Sequence, residues 1–379
     1  MLVNKSLIVL SGITLLLSAC SQPSQISPVY DTAAAVTEVS PLPTSLVPVK
    51  SKPLPSASSS LKDVTNHVEM LGSPFSNKPL YARNVWDMQL FDHQIYFGYG
   101  NSSNSDPAPN AGPIPIVYYD LEHRTFNANS GIISTSTNAT NGKKTIKKAA
   151  DEEQIDTFKI LNGTLYFPGN DARGEGWDYG NFYRLEKDGW HKYRNLPGAV
   201  HVFDMAYYEG SLFAAIGSDK AEVLRSDDQG LTWKSAGSIP HMARAFTLIP
   251  FQGKLYASGG IPVSSRSSAD ITLLSINEHK QVSFITVPLS TLMPQIQPAN
   301  VQGNLRIAKP VEWKGKLLYI YGEVQNDIQL KPRGLALATE AFKNVKPIKL
   351  PDPDTVPRDI VARDQLIYLL ASNKQKDGS

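Results

Sequence analysis

An all-β fold built from repeated antiparallel sheets is what this sequence predicts, on three observations. One unit recurs along the chain: an alternating strand, a tight two-residue turn, a second alternating strand, then glycine or a polar loop. Aromatic residues are plentiful, and proline and glycine punctuate the chain at short intervals. No long stretch carries the 3.6-residue apolar period of a helix.

The turns are Asp92-His93, Asn162-Gly163, Glu209-Gly210, Gln252-Gly253, Lys314-Gly315 and Arg363-Asp364. Each leads into the same kind of strand, from Gln94-Ile95-Tyr96-Phe97 in the first to Gln365-Leu366-Ile367-Tyr368 in the last. Glycine at the second turn position suits the positive φ that a two-residue hairpin demands. The turns stand about 42 to 70 residues apart, and a β-rich repeat of that period indicates the blades of a β-propeller. Six units imply six four-stranded blades, with a five-bladed ring as the main alternative. The last unit runs out after two strands. The segment Val68 to Tyr81 is expected to supply its outer strands and close the ring, removing the exposed edge.

One blade reads strand by strand as His201 to Tyr208, Ser211 to Ile216, Ala221 to Arg225 and Leu231 to Ala236. Between its third and fourth strands lies Ser226-Asp227-Asp228-Gln229-Gly230-Leu231-Thr232-Trp233. These eight residues fit the pattern S-x-D-x-G-x-T-W, and the chain here resembles the Asp-box (BNR-repeat) propellers of the sialidase superfamily. The resemblance implies structural roles for Ser226, Asp228, Gly230, Thr232 and Trp233. Asp228 would cap backbone donors, Gly230 would supply positive φ and Trp233 would fill the gap between sheets. A degenerate relative stands at Leu185-Glu186-Lys187-Asp188-Gly189-Trp190.

The N-terminus carries a different signal. After one positive charge at Lys5, an apolar run from Leu7 to Leu17 has the length of a signal-peptide core and is too short to span a membrane. It ends in Leu17-Ser18-Ala19-Cys20, which is similar to the bacterial lipobox. The resemblance implies cleavage before Cys20 and lipid, palmitate among it, attached at that cysteine. Cys20 is the single cysteine of the chain, so no internal disulfide competes for it. Ser21 in place of Asp favours the outer membrane if the host is Gram-negative. Residues 1–19 are thus expected to be a signal peptide. Residues 20–60, rich in proline and serine, are expected to form a disordered tether reaching roughly 120 Å at full extension. Residues 61–379 are expected to form the propeller.

A net charge of +2 and a charged fraction of 19% exclude the broad basic surface that nucleic acid requires. No cofactor and no metal site is expected, since neither a His/Cys ligand cluster nor a phosphate-cradling glycine loop is present. The expected partners are the membrane, through Cys20, and a glycan or envelope protein.

Aligning the units on their turns places a charge where each inner strand begins. The first three blades present Asp87, Asp156 and Asp204; the later ones present Arg244, Arg306 with Lys309, and Arg358 with Asp359. Acids on one half of the mouth and bases on the other suit a polar or zwitterionic ligand. The alternative is that each charge pairs with the neighbouring blade. Two long loops add candidates for sugar stacking and hydrogen bonding: Asn101 in the first, and Asp171, Glu175 and Trp177 in the second. Asp171, Glu175 and Asp178 could also hold calcium, though their spacing is not that of an EF-hand.

The sialidase resemblance would also imply three arginines, an acidic Asp and a Tyr–Glu nucleophile pair, with an F/Y-R-I-P motif before the first blade. That motif is missing; Leu305-Arg306-Ile307-Ala308 comes too late and lacks the proline. The sequence therefore favours a non-catalytic propeller binding a glycan, peptide or envelope protein over a sialidase-like hydrolase, and leaves the catalytic residues unassigned.

Overall fold

The computed structural model describes residues 63, 68–72, 74–75, 85–101, 112–135, 144–170, 176–217, 219–261, 270–297, 301, 303–325, 329–350, 352–363 and 366–373. The export signal, Cys20 and the 20–60 tether lie outside the described residues, as do Asp171 and Glu175.

The first blade is β1 (Val85–Phe91), β2 (Gln94–Tyr99), β3 (Val117–Asp120) and β4 (Thr125–Ala128). The second has β7 (Lys159–Leu161), β8 (Thr164–Pro168), β9 (Tyr179–Glu186) and β10 (Gly189–Pro197). It gains a hairpin, β5 (Ile132–Thr135) and β6 (Lys144–Lys147), from the connection that precedes it. β5 pairs parallel to β10, so this sheet has six strands. The third blade is β11 (His201–Tyr208), β12 (Ser211–Gly217), β13 (Ala221–Ser226) and β14 (Lys234–Ile239). The fourth is β15 (Ala245–Phe251), β16 (Lys254–Gly259), β17 (Asp270–Ile276) and β18 (Val282–Pro288), followed by the one-turn helix α1 (Leu289–Leu292). The fifth is β19 (Asn304–Trp313), β20 (Lys316–Gln325), β21 (Gln329–Thr339) and β22 (Asn344–Pro347). Last come β23 (Thr355–Arg363) and β24 (Leu366–Asn373), a two-stranded sheet.

The chain is therefore a β-propeller, but with five full blades and not six four-stranded ones. The expectation that Val68 to Tyr81 completes the last sheet fails for its described part. Residues 68–72 and 74–75 carry no strand. Instead Phe75 stacks on Tyr99 at 4.1 Å, and Glu69 pairs with Arg124 in the β3–β4 turn. Phe75 is 4% exposed there, and that burial holds the segment against the first blade.

Five of the six hairpin turns take the same form. Asp92-His93, Asn162-Gly163, Glu209-Gly210, Gln252-Gly253 and Lys314-Gly315 all have positive φ at both residues, the type I′ geometry that matches strand twist. The sixth turn includes Asp364, outside the described residues.

Successive apolar residues of the second strands pack into different cores, one on each side of the blade. In β12, Leu212, Ala214 and Ile216 face the second blade, whereas Phe213 and Ala215 face the fourth. In β20, Leu317, Tyr319 and Tyr321 face the fourth blade, and Leu318 and Ile320 face β23–β24. Sheets buried on both faces need runs such as Ser211-Leu212-Phe213-Ala214-Ala215-Ile216-Gly217, every residue of which is buried. Between the first and second blades the core is aromatic, with Tyr96, Phe158 and Phe167 packed around a fully buried Trp190. Among the described residues no apolar cluster joins β23–β24 to the first blade.

The turn between β13 and β14 is held by side chains. Asp228 accepts from the Thr232 amide at 2.8 Å and its hydroxyl at 2.5 Å, while the Ser226 hydroxyl donates to Asp228 at 2.7 Å. These bonds hold the Asp228 carboxyl down at about 2. Asn195 of the second blade donates to the carbonyls of Gly230 and Leu231. The backbone of 230–232 is thus engaged in the turn, so the fourth strand starts at Lys234 and not at Leu231. Gly230 has φ 91°, and a Cβ there would stand 2.6 Å from Phe182 of the second blade. Trp233 meets the same ring edge-on at 5.8 Å, between the two sheets.

Candidate functional site

From β7 through β11, β15 and β19 to β23 each first strand touches the next, so their leading residues gather about the ring axis. In four of them a β-bulge falls at the start: at Trp86, Phe203, Phe246 and Arg358, each an extra residue without a partner on the second strand. The next residue is Asp87, Asp204, Thr247 or Asp359, and these side chains tie blade to blade.

Asp87 Oδ2 accepts from the Phe158 amide of the second blade at 2.8 Å. Lys159 of the second blade pairs with Asp204 of the third at 2.9 Å. The other Asp204 oxygen accepts from the Leu248 amide of the fourth blade at 2.9 Å. The Thr247 hydroxyl donates to the Ile307 carbonyl of the fifth at 2.8 Å. From the fifth blade, Lys309 reaches Asp87 at 2.7 Å, the Trp86 carbonyl at 3.2 Å and Asp359 at 3.4 Å. One lysine thus joins the first blade, the fifth blade and the β23–β24 sheet. Burial disfavours its charge, but Asp87 and Asp359 outweigh that and raise its pKa. Asp87, Asp204 and Lys309 are therefore engaged in inter-blade ties. For Asp87 and Asp204 the bulge explains this, since it turns the following side chain sideways toward the adjacent inner strand.

The remaining mouth residues form a rim of rings and guanidinium groups. Phe203 and Phe246, on adjacent blades, meet at 4.5 Å, and His201 stacks on Phe203 at 5.4 Å. The Arg306 guanidinium lies 3.4 Å from the Phe246 centroid, and that of Arg244 6.0 Å from Phe203. Arg244 has no carboxylate partner among the described residues. A Cβ on Gly217 would stand 2.7 Å from Arg244 Cγ, so glycine leaves room for the arginine stem. Asp156 accepts from Gln154 at 2.5 Å; burial pushes its carboxyl up to about 6, against the pull of Arg306 and Lys309.

Arg358 is exposed and donates to Ser372 of its own sheet at 2.8 Å. Asn101 is buried, its amide bound to the Glu153 carbonyl at 3.1 Å, and residues 102–111 of that loop lie outside the described residues. Trp177 is 68% exposed, and Asp178 pairs with Arg194 at 2.7 Å. A Tyr–Glu pair does exist: Tyr183 donates to Glu152 at 3.0 Å, but both are wholly buried in the second blade. Sequence reasoning missed Phe246, whose signal was its alignment with Trp86 and Phe203. It also missed Lys159 and Thr247, which lie on the blade side of the mouth.

No family model matches this chain, and no curated protein matches it. Among solved structures it is similar to a chain from the "Crystal Structure of Mitotic Checkpoint Complex", at 12% identity and a TM-score of 0.40. The match covers 71% of this chain and spans 64% of the length of the other. Among the described residues no helix is long and apolar enough to cross a membrane.

Proposed function

We propose that this chain is an exported lipoprotein, tethered through Cys20, whose propeller binds an anionic glycan or an acidic envelope peptide or protein at its mouth. The observation that carries the binding reading is the rim: the acids Asp87 and Asp204 are engaged in ties, whereas Arg244 stands beside Phe203 with no carboxylate partner among the described residues. Guanidinium forks grip carboxylates, and aromatic faces take sugar rings or side chains. The Ser226–Trp233 turn is read as an Asp box, a structural device of the second-to-third blade junction. β23–β24 is read as the inner half of a sixth blade.

A screen of the full chain against acidic and neutral glycans and acidic peptides identifies the ligand class. Arg244→Ala should then weaken binding by about 1.5 to 3 kcal/mol with an unchanged melting temperature. Early melting with undiminished affinity would assign the arginine to the fold instead. The tether is tested separately: Cys20→Ala should abolish incorporation of labelled palmitate, and persisting label would refute lipidation at that residue.

A second reading, hydrolysis of an acidic sugar, has one observation in its favour. A carboxyl pushed up to about 6, beside Arg306, suits a general acid. Asp156→Asn should then abolish turnover of a fluorogenic acidic glycoside that the native chain cleaves.

A further inference from the structure

The hairpin joining β9 to β10 occupies in the second blade the place that the Ser226–Trp233 turn holds in the third. It has neither the Ser nor the Thr of that turn. It carries Glu186, Asp188 and His191 instead, each offering one ligand atom, all within 4.8 Å of one another. We propose that these three residues bind a zinc ion, which fixes this hairpin as side-chain hydrogen bonds fix its neighbour.

The strand register brings the residues together. Arg184 pairs across the hairpin with His191, so Arg184, Glu186, His191 and Tyr193 share one face by the two-residue pleat. Asp188 stands in the turn above them. His191 Nε2 lies 2.7 Å from Asp188 Oδ1 and 3.8 Å from Glu186 Oε2. These separations bracket about 3.3 Å, the edge of a tetrahedron with metal–ligand bonds of about 2.05 Å. Small side-chain movements would bring all three atoms to zinc, leaving a fourth vertex toward solvent, since Asp188 is 59% exposed.

The outer contacts are those a ligating carboxylate needs. Arg184 donates to Glu186 Oε1 through Nε at 3.0 Å and through Nη2 at 2.7 Å, and the Tyr193 hydroxyl donates to the same oxygen. Glu186 is held in one orientation, with Oε2 left toward His191. His191 is 8% exposed, its ring fixed before any ion arrives. One imidazole with two carboxylates favours zinc over calcium or magnesium, which prefer all-oxygen shells of six or more ligands. Arg184 also donates to the Gln229 carbonyl at 2.7 Å, so an ion here would stiffen the junction with the third blade.

The test titrates zinc into the native full chain, Asp188→Asn and His191→Gln, reading bound metal by equilibrium dialysis and stability by thermal melting. All three keep Cys20, so zinc held by that thiol cancels in the comparison. The native chain should take up one more equivalent than either variant. With free zinc at 100 times its Kd, its melting temperature should rise by about 5 °C, a rise missing from the variants. Asp188→Asn removes an exposed carboxylate and leaves the core alone, so it reports even if His191→Gln folds poorly. Equal zinc content in native and Asp188→Asn chains would overturn the proposal. So would a native melt indifferent to zinc, or an equal rise with calcium; the triad would then be an ion-pair cluster.

Discussion

Replacing Asp204 with alanine should lower the free energy of unfolding by about 3 to 5 kcal/mol, the cost of breaking a buried ionic contact from one side. Its two oxygens serve three donors: Lys159 Nζ and the Met205 amide on Oδ1, and the Leu248 amide on Oδ2. Lys159 is 29% exposed and can turn to water, so its share of the loss is small. The two amides cannot. Leu248 is 1% exposed, and an amide buried without an acceptor costs about 1 to 3 kcal/mol. Asp204→Asn keeps one carbonyl acceptor and should recover part of the loss. Urea denaturation checks this: the midpoint should fall while the slope stays the same. A change below 1 kcal/mol would mean that the mouth ties do not stabilise the ring.

Lys309→Met should cost about 2 to 4 kcal/mol, less than a fully buried pair because the lysine is 25% exposed. Among the described residues no apolar cluster joins β23–β24 to the first blade, and Lys309 bridges Asp87 of one to Asp359 of the other. Without the ammonium, Asp87 and Asp359 face each other uncompensated. Burial already raises the Asp359 carboxyl, with Lys309 partly countering it, and the variant removes the counterweight. The Asp359 carboxyl would then hold its proton more tightly folded than unfolded. The deficit is therefore largest above the folded pKa of Asp359 and shrinks as pH falls through it. Thermal melts at pH 8 and pH 5 should show a smaller gap between variant and native chain at pH 5. A gap independent of pH would assign the loss to packing of the lysine stem.

The five described inner hairpins were legible because each turn residue answers a backbone demand. Asn162-Gly163 and Lys314-Gly315 could hardly be anything other than tight turns between alternating strands. The number of blades was less legible, since a two-residue turn marks the inner half of a blade and says nothing of the outer half. β5 and β6 escaped for a related reason. β6 is the edge of its sheet and its Ile146 is 74% exposed, so no buried face imposes a pattern there, and β5 has Ile132 as its one buried residue among the described side chains. At the mouth the sequence located the charges but not their partners. Asp87 and Lys309 are 222 residues apart, and only ring closure brings them within 2.7 Å. The Glu186–Asp188–His191 group had a faint local signal, an acid and an imidazole on opposite arms of an Asp-Gly turn.

The bulges at Trp86, Phe203, Phe246 and Arg358 separate two kinds of selection that a protein usually has to satisfy with the same residues. An extra residue opposite no partner has no cross-strand pair to satisfy, and the tie to the next blade is made by the residue after it. Its side chain is not tied to a ladder partner, although Trp86 still donates to the Gly100 carbonyl and Arg358 to Ser372. Phe203 and Phe246, whose rings meet at 4.5 Å, should couple, and the effects of exchanges should add only between positions that share no contact. A propeller so built can acquire a new ligand by single replacements at these points while its architecture is inherited intact. The differing choices already present, one indole, two phenyl rings and one guanidinium, are what such freedom leaves behind.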